Sequence, residues 1–451
     1  MSSYFFCGIG GSGMMPLATL LKLRGFDVRG SDRSYDQGNT PDKFEDLKNV
    51  GIELVPQDGN GLGNFTRFIV SSAVEERIPD VRTAKEKNLE ILTRGQLLAE
   101  LFNAAQERIA VAGTSGKSTV TGMIGTMLSE LEHDPTIING GGITNFEASS
   151  SIRNGDGKFF VAEMDESDGS IAHYLPSVAV LNNVALDHKS MEELEKLFGD
   201  YLAVSSKSCV LNADQPRVMA LTDCSKVKTI TYAIENQDAD LLAVDIQEFP
   251  FSVTFKVNDV DIRLNVPGRY NVENALAALA AGQALGLDLE ACAKALSAFS
   301  GIHRRMQLIG TQRGVTVIDD FAHNPDKISA SLRSLKQFDG RVIVMFQPHG
   351  FGPLRLMGQE MVDVFSEHLD GDDILLMPEA YYAGGTVDRS VTAQHLISDL
   401  NARDTQAHWF AKRDEIPEFI QQSAQTGDRI VIMGARDDSL HDFAKSILAQ
   451  F

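Results

Sequence analysis

Cysteine is scarce in this chain, whose 451 residues include four: Cys7, Cys209, Cys224 and Cys292. Their scattered spacing matches neither a disulfide framework nor a zinc-binding pattern, which argues against a disulfide-rich secreted fold and a structural zinc site. The sequence also lacks an apolar run of about 18 residues and a basic start followed by an apolar segment. We therefore expect neither a membrane span nor a signal peptide, and we expect the protein to be cytoplasmic.

Positive charge is also in short supply. Lysine and arginine number 41 against 62 aspartates and glutamates, and the formal net charge is −21. Such a balance argues against nucleic-acid binding, but it does not exclude small anionic substrates held by local basic groups and backbone N–H donors. Since 43% of the residues are hydrophobic, the chain can bury an ample core. Its length indicates about three domains.

The segment Arg108–Thr119 has the pattern of a nucleotide triphosphate site. An apolar strand, Ile109–Ala112, runs into a glycine-rich turn, and helical spacing continues after it. Backbone N–H groups of such a turn cradle phosphate oxygens, and the helix dipole favours negative charge. Lys117 is predicted to reach the β- and γ-phosphates and Ser118 to bind Mg²⁺. The alternative is a turn that holds a lysine by chance. The predicted nucleotide-binding residues are Gly113, Thr114, Ser115, Gly116, Lys117, Ser118 and Thr119.

A second glycine-rich turn follows the first predicted strand, Tyr4–Cys7. It reads Gly8-Ile-Gly-Gly-Ser-Gly13 and is followed by a helical stretch, after which a second strand leads to Ser31-Asp32. Glycines at this spacing, with an acidic residue about 20 positions on, form a dinucleotide-binding fingerprint. Three interpretations stay open on this motif alone: NAD(P) binding, binding of another nucleotide diphosphate such as a UDP-sugar, and a tight turn with no ligand.

Two acidic segments are candidate metal ligands. One predicted strand ends in Glu163-Met-Asp-Glu-Ser-Asp168, and the next enters Asp187-His188. Glu163 is placed to complete a Mg²⁺ shell beside the glycine-rich turn that contains Lys117. The alternative for each carboxylate of this run is a solvated acidic turn, and that alternative has more weight for Asp165, Glu166 and Asp168 than for Glu163. Asp187-His188 is compatible with a second metal, although an isolated pair of this kind indicates little.

The remaining chain predicts two further kinds of structure. From Lys228 to Val266 the hydrophobic period changes to two, which predicts an added layer of antiparallel strands. Pro267–Asn274 is expected to cap an alanine-rich helix, with Asn274 as a capping residue unless an adenine lies beside it. Beyond Gly301 a third α/β unit follows, whose strands end in polar groups. The predicted domains are residues 1–106, 107–300 and 301–451.

These motifs occur in one order, together with Asn183, Gly268–Asn274, His303-Arg-Arg305 and Asp319–Pro325. In this order they resemble the Mur ligase family across essentially the whole chain. Four motifs are most similar to the branch of the family that adds L-alanine: Gly-Ile-Gly-Gly-x-Gly-Met, Ser-Ser-Ala, Glu-x-Asp-Glu-Ser-Asp-Gly-Ser and Phe-Gln-Pro-His.

The resemblance implies an α/β fold of three domains. These are a Rossmann-like N-terminal domain that binds a UDP-sugar, a P-loop-type central ATPase domain with added antiparallel strands, and a Rossmann-like C-terminal domain that binds the amine. It also implies an ADP-forming ligase that uses ATP and Mg²⁺ to activate the carboxylate of UDP-N-acetylmuramate, or a similar UDP-sugar, as an acyl phosphate. The expected process is peptidoglycan precursor synthesis or recycling, and the expected state is a monomer or weak homodimer.

The resemblance also assigns roles to residues of this chain. The catalytic residues would be Lys117, Glu163, His188 and Arg305, and the metal ligands Ser118, Glu163 and His188. Adenosine would contact Asn183, Asn274 and Asp320, and Arg305 would contact the phosphates. The substrate-binding residues would be Gly10, Gly11, Ser31, Asp32, Ser72, Arg94, His323, His349 and Arg355.

The chain departs from this branch after His349. Those enzymes carry His-Arg-Tyr-Thr-Arg there, and the two arginines hold the carboxylate of the amino acid. This chain has His349-Gly-Phe-Gly-Pro353, so both positions lack charge, and Arg355 is either a replacement or a surface helix residue. L-alanine addition is the first expectation. The alternatives are a recycling ligase that attaches a whole tripeptide and a nucleotide-binding protein that does not ligate.

Overall fold

The computed structural model describes the chain apart from a few short segments. The described residues are 3–11, 13–39, 41–71, 77–146, 150–167, 169–186, 189–381, 388–435, 437 and 439–451. The chain divides into two compact units, here called the first unit (residues 1–248 and 252–301) and the second unit (residues 249–251 and 302–451). Within the described ranges, no helix is long and apolar enough to cross a membrane.

The first unit begins with a sheet of five parallel strands. They are β1 (Ser3–Cys7), β2 (Asp27–Ser31), β3 (Glu53–Val55), β4 (Arg67–Val70) and β5 (Glu90–Thr93), with helices α1 (Met14–Leu23), α2 (Arg33–Asp36), α3 (Pro41–Asn49), α4 (Pro79–Glu86) and α5 (Arg94–Asn103). The strand order is β3-β2-β1-β4-β5. It reverses between β1 and β4, and open parallel sheets bind ligands at such a point, beyond the carboxyl ends of the strands. The turn that starts at Gly8 lies there.

The central strand of this sheet, β1, is buried on both faces. Phe5 lies on one face, where it stacks on Phe68 with ring centroids 5.7 Å apart. Phe6 lies on the other face, in a cluster with Leu20 of α1 and Leu97 of α5. Because successive side chains of a strand alternate between faces, the continuous apolar run of β1 packs against two layers. This burial holds β1 and the start of its glycine-rich turn in place.

The first unit also contains a sheet of ten strands. They are β6 (Glu107–Ala112), β7 (Thr136–Ile138), β8 (Ile152–Arg153), β9 (Phe159–Glu163), β10 (Val178–Leu181), β11 (Ser208–Asn212), β12 (Lys228–Ala233), β13 (Leu241–Phe249), β14 (Ser252–Val257) and β15 (Val260–Leu264). Its helices are α6 (Lys117–Glu130), α7 (Met191–Ala203), α8 (Pro216–Met219), α9 (Arg269–Ala284) and α10 (Leu289–Leu296), with short 3₁₀ helices at Ser170–His173 and Thr222–Cys224. The strand order is β15-β14-β13-β12-β11-β10-β6-β9-β7-β8. The neighbours β10 and β9 flank β6, so the ends of these three strands meet at one edge.

Antiparallel pairing was predicted from Lys228 onward, and this prediction is wrong for the first strand of that region. β12 pairs in parallel with β11 on one side and with β13 on the other, where Tyr232 lies opposite Leu241. β14 and β15 are antiparallel, as predicted. Alternating hydrophobicity indicates that one face of a strand is exposed, which is commoner in antiparallel sheets but does not require antiparallel pairing. These strands also extend the central sheet, so they are not a separate layer.

The second unit contains a sheet of six strands. They are β16 (Gln307–Gln312), β17 (Val315–Asp320), β18 (Val342–Gln347), β19 (Ile374–Pro378), β20 (Ala407–Phe410) and β21 (Arg429–Gly434), in the order β16-β17-β21-β18-β19-β20. Its helices are α11 (Pro325–Lys336), α12 (Phe351–His368), α13 (Ala393–Asn401), α14 (Ile416–Ser423) and α15 (Leu440–Leu448), with a 3₁₀ turn at Arg413–Glu415. β16 is antiparallel to β17, and the other pairs are parallel.

The predicted α/β class is confirmed, because each sheet is mainly parallel and alternates with helices along the chain. Each predicted domain contains one sheet, with β6 starting at Glu107 and β16 starting at Gln307. The first two sheets belong to one compact unit. The exact domain boundaries stay a prediction.

Candidate active site

The turn between β6 and α6, residues 113–119, is called the phosphate turn. Gly113 has φ +133°, and a Cβ there would lie 3.2 Å from the backbone N of Asn183. Gly116 precedes α6 with φ +81°, and a Cβ there would lie 2.6 Å from Oδ1 of Asn274. Both positions therefore require glycine, by conformation and by contact. The turn leads into the N-terminus of a 14-residue helix, which favours a bound anion.

Asn183 braces the phosphate turn. Its Oδ1 accepts hydrogen bonds from Oγ1 of Thr114 at 2.9 Å and from the backbone N of Ser115 at 2.8 Å. The neighbouring Asn182 is buried and accepts a hydrogen bond from the hydroxyl of Tyr232 at 3.3 Å. The structure thus brings Asn183, predicted from the resemblance to contact adenosine, to the turn that was predicted to hold the phosphates.

The interpretation of Asn274 as a helix cap is wrong. α9 begins at Arg269, so Asn274 lies in its second turn, and Gly268 is the N-cap with φ +93°. The Asn274 amide donates to Oδ1 of Asn271 at 3.1 Å and lies beside Gly116. The polar residues of this segment suggested a cap because such residues favour helix starts. In this structure the polar side chain of Asn274 contacts the phosphate turn and does not cap the helix.

Lys117 forms a buried ion pair. Its ammonium lies 2.9 Å from Oε2 of Glu166, and it also donates to the carbonyl of Gly113 at 2.7 Å. The two side chains are 16% and 7% exposed, so the pair is largely withdrawn from water. The solvated acidic turn, which the sequence leaves open as an alternative for Glu166, is therefore wrong for this residue, and its contact with Lys117 was not predicted. The sequence carries no signal for it, since the two residues are 49 positions apart.

Ser118 and Glu163 offer oxygen ligands at this turn. The Ser118 side chain is buried at the start of α6, and Glu163 ends β9 with its carboxylate accepting from the backbone N of Gly140 at 2.7 Å. No group of three or more metal-ligating side chains occurs among the residues that the structure describes. Two protein oxygens fit Mg²⁺, which takes its other ligands from phosphates and water. His188, Asp187 and Asp168 lie outside the described residues.

The turn Gly8–Gly13, called the N-terminal turn, is held by the end of β2. The backbone N of Gly8 donates to the carbonyl of Ser31 at 2.8 Å, and the N of Gly10 donates to the Asp32 carboxylate at 2.8 Å. The same carboxylate accepts from the backbone N of Ser34 and so starts α2. A Cβ on Gly10 would lie 2.9 Å from the Asp32 carboxylate, which explains the glycine.

The side chains around the N-terminal turn include a second buried carboxylate. The Ser31 hydroxyl donates to Asp80, and the backbone N of Gly59 donates to the same group at 2.7 Å. Burial raises the pKa of Asp80 and, to about 12, that of the adjacent Cys7 thiol. We therefore expect the Cys7 thiol to be unreactive. The Asp80 carboxyl has a structural role, since it accepts hydrogen bonds from Ser31 and Gly59 next to the predicted UDP-sugar site.

Arg94 joins the N-terminal turn to the acidic segment after β9. Arg94 starts α5, and its Cδ lies 2.7 Å from the position of a Cβ on Gly13. Its guanidinium lies 3.4 Å from Oδ2 of Asp165. The structure thus brings Arg94 together with Gly10, Gly11, Ser31 and Asp32 at the ends of β1, β2 and β5. Ser72, the remaining residue predicted for this site, lies outside the described residues.

In the second unit, the adjacent residues Arg304 and Arg305 differ sharply. Arg304 is buried and donates to Asp319 at 3.1 Å, to the carbonyl of Gly434 at 2.8 Å and to that of Asp437 at 3.1 Å. Arg305 is exposed. Arg304 is therefore a structural residue, and Arg305 has the exposure that a phosphate-binding residue needs.

Asp320, at the end of β17, is buried inside the second unit. Its carboxylate accepts from the Ser331 hydroxyl and from the backbone N of Met306 at 3.3 Å. Burial raises the pKa of this carboxyl. Its 5% exposure leaves little surface for the adenosine contact that the resemblance implies, and that contact stays a prediction.

The segment predicted to bind the amine lies around the start of α12. The rings of His323 and His349 meet edge to face at 5.2 Å between centroids. Arg355 forms an ion pair with Asp388 at 3.1 Å, with both side chains about half exposed. The guanidinium of Arg389 lies 5.3 Å from the centre of the Phe351 ring, a cation–π contact that the sequence did not suggest. Two arginines therefore lie near the start of α12, Arg355 within the helix and Arg389 against Phe351, although neither occupies the positions expected from the family.

Comparison with protein families matches three models along the chain. The Mur ligase family, catalytic domain, matches residues 3–106, the Mur ligase middle domain matches residues 111–282, and the Mur ligase, glutamate ligase domain matches residues 304–436. Among curated proteins, the UDP-N-acetylmuramate–L-alanine ligase of Streptomyces coelicolor is 34% identical, covering 96% of this chain and 94% of that protein. The protein of the same name from Mesorhizobium japonicum is 35% identical, covering 95% and 94%.

Solved structures share the fold. The crystal structure of a UDP-N-acetylmuramate-alanine ligase from Thermotoga maritima matches with a TM-score of 0.80 at 24% identity, covering 100% of this chain and 99% of that one. A murein peptide ligase from Psychrobacter arcticus matches with a TM-score of 0.68 at 24% identity over the same shares. With the three family models, this likeness confirms the predicted three-domain architecture.

Proposed function

Since the chain belongs to the Mur ligase family, we propose that it joins the carboxylate of UDP-N-acetylmuramate to the amine of L-alanine in peptidoglycan precursor synthesis. The enzyme is an ATP-dependent, ADP-forming ligase. The observation that carries the choice of two nucleotide ligands is the presence of two strand–glycine turn–helix sites in the first unit. One follows β1 and the other follows β6, which provides one site for each of two nucleotides.

The N-terminal turn supports a UDP-sugar over NAD. Asp32, the acidic residue that would bind a ribose hydroxyl in a NAD site, is already bound to the backbone N of Gly10 and of Ser34. Arg94 adds positive charge beside Gly13, where a pyrophosphate would approach. A diphosphate-linked sugar therefore fits this turn, and the carboxylate of the sugar would be the group to be activated.

The proposed reaction has two steps. In the first, an oxygen of the sugar carboxylate bonds to the γ-phosphorus of ATP while the bond to ADP breaks. In the second, the amine nitrogen bonds to the carbonyl carbon, the bond to phosphate breaks, and the nitrogen loses a proton to solvent. Neither step needs a nucleophile from the protein. Catalysis therefore depends on orientation and on neutralising the charge of the transferring phosphoryl group.

The residues of the phosphate turn would supply that neutralisation. Lys117 and the backbone N–H groups would contact the phosphates, and Arg305 would add a second cation by family similarity. Ser118 and Glu163 would hold Mg²⁺, with His188 as a ligand of a second ion. The bound Mg²⁺ would neutralise phosphate charge. Asn183 would keep the turn in its binding shape through its bonds to Thr114 and Ser115.

A tripeptide acceptor is the second candidate, and the start of α12 favours it. Residues 350–353, directly after His349, carry none of the charges that would clamp a small amino acid, and Arg355 is engaged by Asp388. A tripeptide could be held through additional groups, so it depends less on one carboxylate clamp. The murein peptide ligase from Psychrobacter arcticus has the same fold.

Phosphate release with UDP-N-acetylmuramate, ATP and Mg²⁺ tests the proposal. The acceptors are L-alanine, glycine, L-serine and the tripeptide L-alanyl-γ-D-glutamyl-meso-diaminopimelate, with mass spectrometry of each product. Turnover that depends on L-alanine supports the proposal, and turnover only with the tripeptide supports the second candidate. The Glu163→Gln variant is the control, because any phosphate that it still releases comes from another source than this site. Absence of turnover with every acceptor, despite measurable binding of ATP, would refute both.

We also propose a cytoplasmic location and a monomeric or weakly dimeric state. All four cysteines are free thiols, as expected for a reducing compartment. The net charge of −21 agrees with small-molecule partners and no nucleic acid. Sedimentation of the full chain at several concentrations would measure the oligomeric state.

A further inference from the structure

Asp165 and Glu166, here called the carboxylate bridge, contact two different binding turns. Glu166 pairs with Lys117 of the phosphate turn, with oxygens 2.9 and 3.0 Å from the ammonium. Asp165 pairs with Arg94, whose aliphatic part packs against Gly13 of the N-terminal turn. Adjacent residues on one short segment thus bind the cation at each of two sites that would receive phosphate groups.

The two contacts differ in strength. The Lys117–Glu166 pair has short distances and side chains that are 16% and 7% exposed, so solvent screens it weakly. The Arg94–Asp165 pair is 3.4 Å long with side chains 27% and 45% exposed, so it is the weaker contact. Asp165 also accepts from the backbone N and the hydroxyl of Ser167, which ties the segment into one compact turn. Glu166 lies between these two bonded residues, so a movement of Glu166 should also move Asp165.

We propose that Asp165 and Glu166 are positioning residues that couple the two substrate sites of the first unit. The proposal rests on the proposed function, because it takes ATP at the phosphate turn and a UDP-sugar at the N-terminal turn. The phosphates of ATP compete with Glu166 for Lys117, and the diphosphate of the sugar competes with Asp165 for Arg94. Each ligand thus displaces one end of the same short segment.

The geometry also determines the sign of the coupling. The ligand that binds first breaks one ion pair and shifts the segment, so the ligand that binds second meets a cation that is already less engaged. Each ligand should therefore bind more tightly in the presence of the other. By linkage, the factor is the same in both directions.

Binding titrations of the full chain test this coupling without turnover. The affinity for Mg²⁺ and a non-hydrolysable ATP analogue is measured with and without saturating UDP-N-acetylmuramate, and the sugar nucleotide is titrated in the reverse order. We expect a mutual gain of about fivefold or more in the wild type, the lower end of typical coupling between sites. Equal affinities with and without the other ligand would overturn the proposal.

Variants separate positioning from a merely structural contribution. Glu166→Gln keeps the shape of the side chain but frees Lys117, so the ATP analogue alone should bind about threefold or more tighter, and the coupling should fall below about twofold. Asp165→Asn, at a half-exposed position, should tighten the sugar nucleotide in the same way. A structural contribution alone would weaken binding, so a loss of affinity with unchanged coupling would contradict the proposal. Asp261→Asn, on the far edge strand β15, is the matched control and should change neither quantity.

The failure of the coupling and the failure of the proposed function give different results. If the wild type binds neither nucleotide on its own, the proposed function is wrong. If it binds both and the two affinities are independent, the function stands and the carboxylate bridge does not couple the sites. Should Glu166→Gln fail to fold, the wild-type titrations and the Asp165→Asn variant still decide the question.

Discussion

Arg304 and Arg305 are adjacent in the sequence, and replacing each by methionine should have opposite effects. The Arg304 side chain is 5% exposed and donates to Asp319, Gly434 and Asp437. Methionine keeps much of the aliphatic volume but removes these bonds. It also leaves Asp319, which is fully buried, without its guanidinium partner and bound to the imidazole of His441 at 2.9 Å. Removing one partner of a buried ion pair lowers the free energy of unfolding by about 3–5 kcal/mol.

Thermal unfolding of the second unit measures this cost. For a domain of this size, each kcal/mol lowers Tm by about 2–4 °C, so Arg304→Met should lower Tm by about 6–20 °C. Arg305→Met replaces an exposed side chain and should change stability by less than about 0.5 kcal/mol. It should nevertheless abolish phosphate release, since Arg305 is proposed to contact the phosphates.

The reasoning would be refuted by either of two results. One is an Arg304→Met variant that unfolds at the wild-type temperature, since the buried guanidinium would then contribute nothing to the second unit. The other is an Arg305→Met variant that loses as much stability as Arg304→Met, since the two positions would then not differ in burial. Hydrogen exchange at β17 and β21 would show whether the loss is localised around Asp319 and Gly434.

Three further predictions concern the first unit and the pH dependence of stability. Lys117→Ala and Glu163→Ala should each abolish phosphate release while the chain keeps its circular dichroism spectrum, and wild-type-like turnover in either would rule out this site. Gly116→Ala should cost about 1–2 kcal/mol, because alanine is strained at φ +81°, and should weaken ATP binding. Adding Asn274→Ala should relieve the steric contact but not the strain, as denaturant titrations would show. Burial lowers the pKa of His303 from 6.5, so the unfolded chain binds a proton that the folded unit does not. Stability should therefore fall as pH decreases from about 6.5 towards the lowered pKa, and His303→Gln should reduce that fall in denaturant titrations at several pH values.

Local patterns in the sequence were sufficient to predict the two glycine-rich turns. A buried strand, a glycine turn and a helix start are neighbours along the chain, so the turns at Gly8–Gly13 and Gly113–Thr119 could be placed from spacing alone, and the ligand of each turn stays a prediction. The α/β class followed from the same alternation of strands and helices. The order of motifs was also sufficient to predict the family, which the comparisons confirm.

Tertiary structure alone decided how side chains are used. Glu166 pairs with a lysine 49 positions away, and Arg94 contacts a carboxylate 71 positions away. Arg304 and Arg305 are the same residue type, and only the packing of β17 and β21 buries one of them. Asn274 resembled a helix cap because the sequence shows only the polar residues next to it along the chain. It does not show that Gly116, more than 150 positions away, lies beside Asn274 in the fold. β12 alternates like an antiparallel strand, although its direction depends on the strands beside it. Periodicity and spacing report on neighbours within a few residues, whereas these outcomes depend on which distant segments the fold brings together.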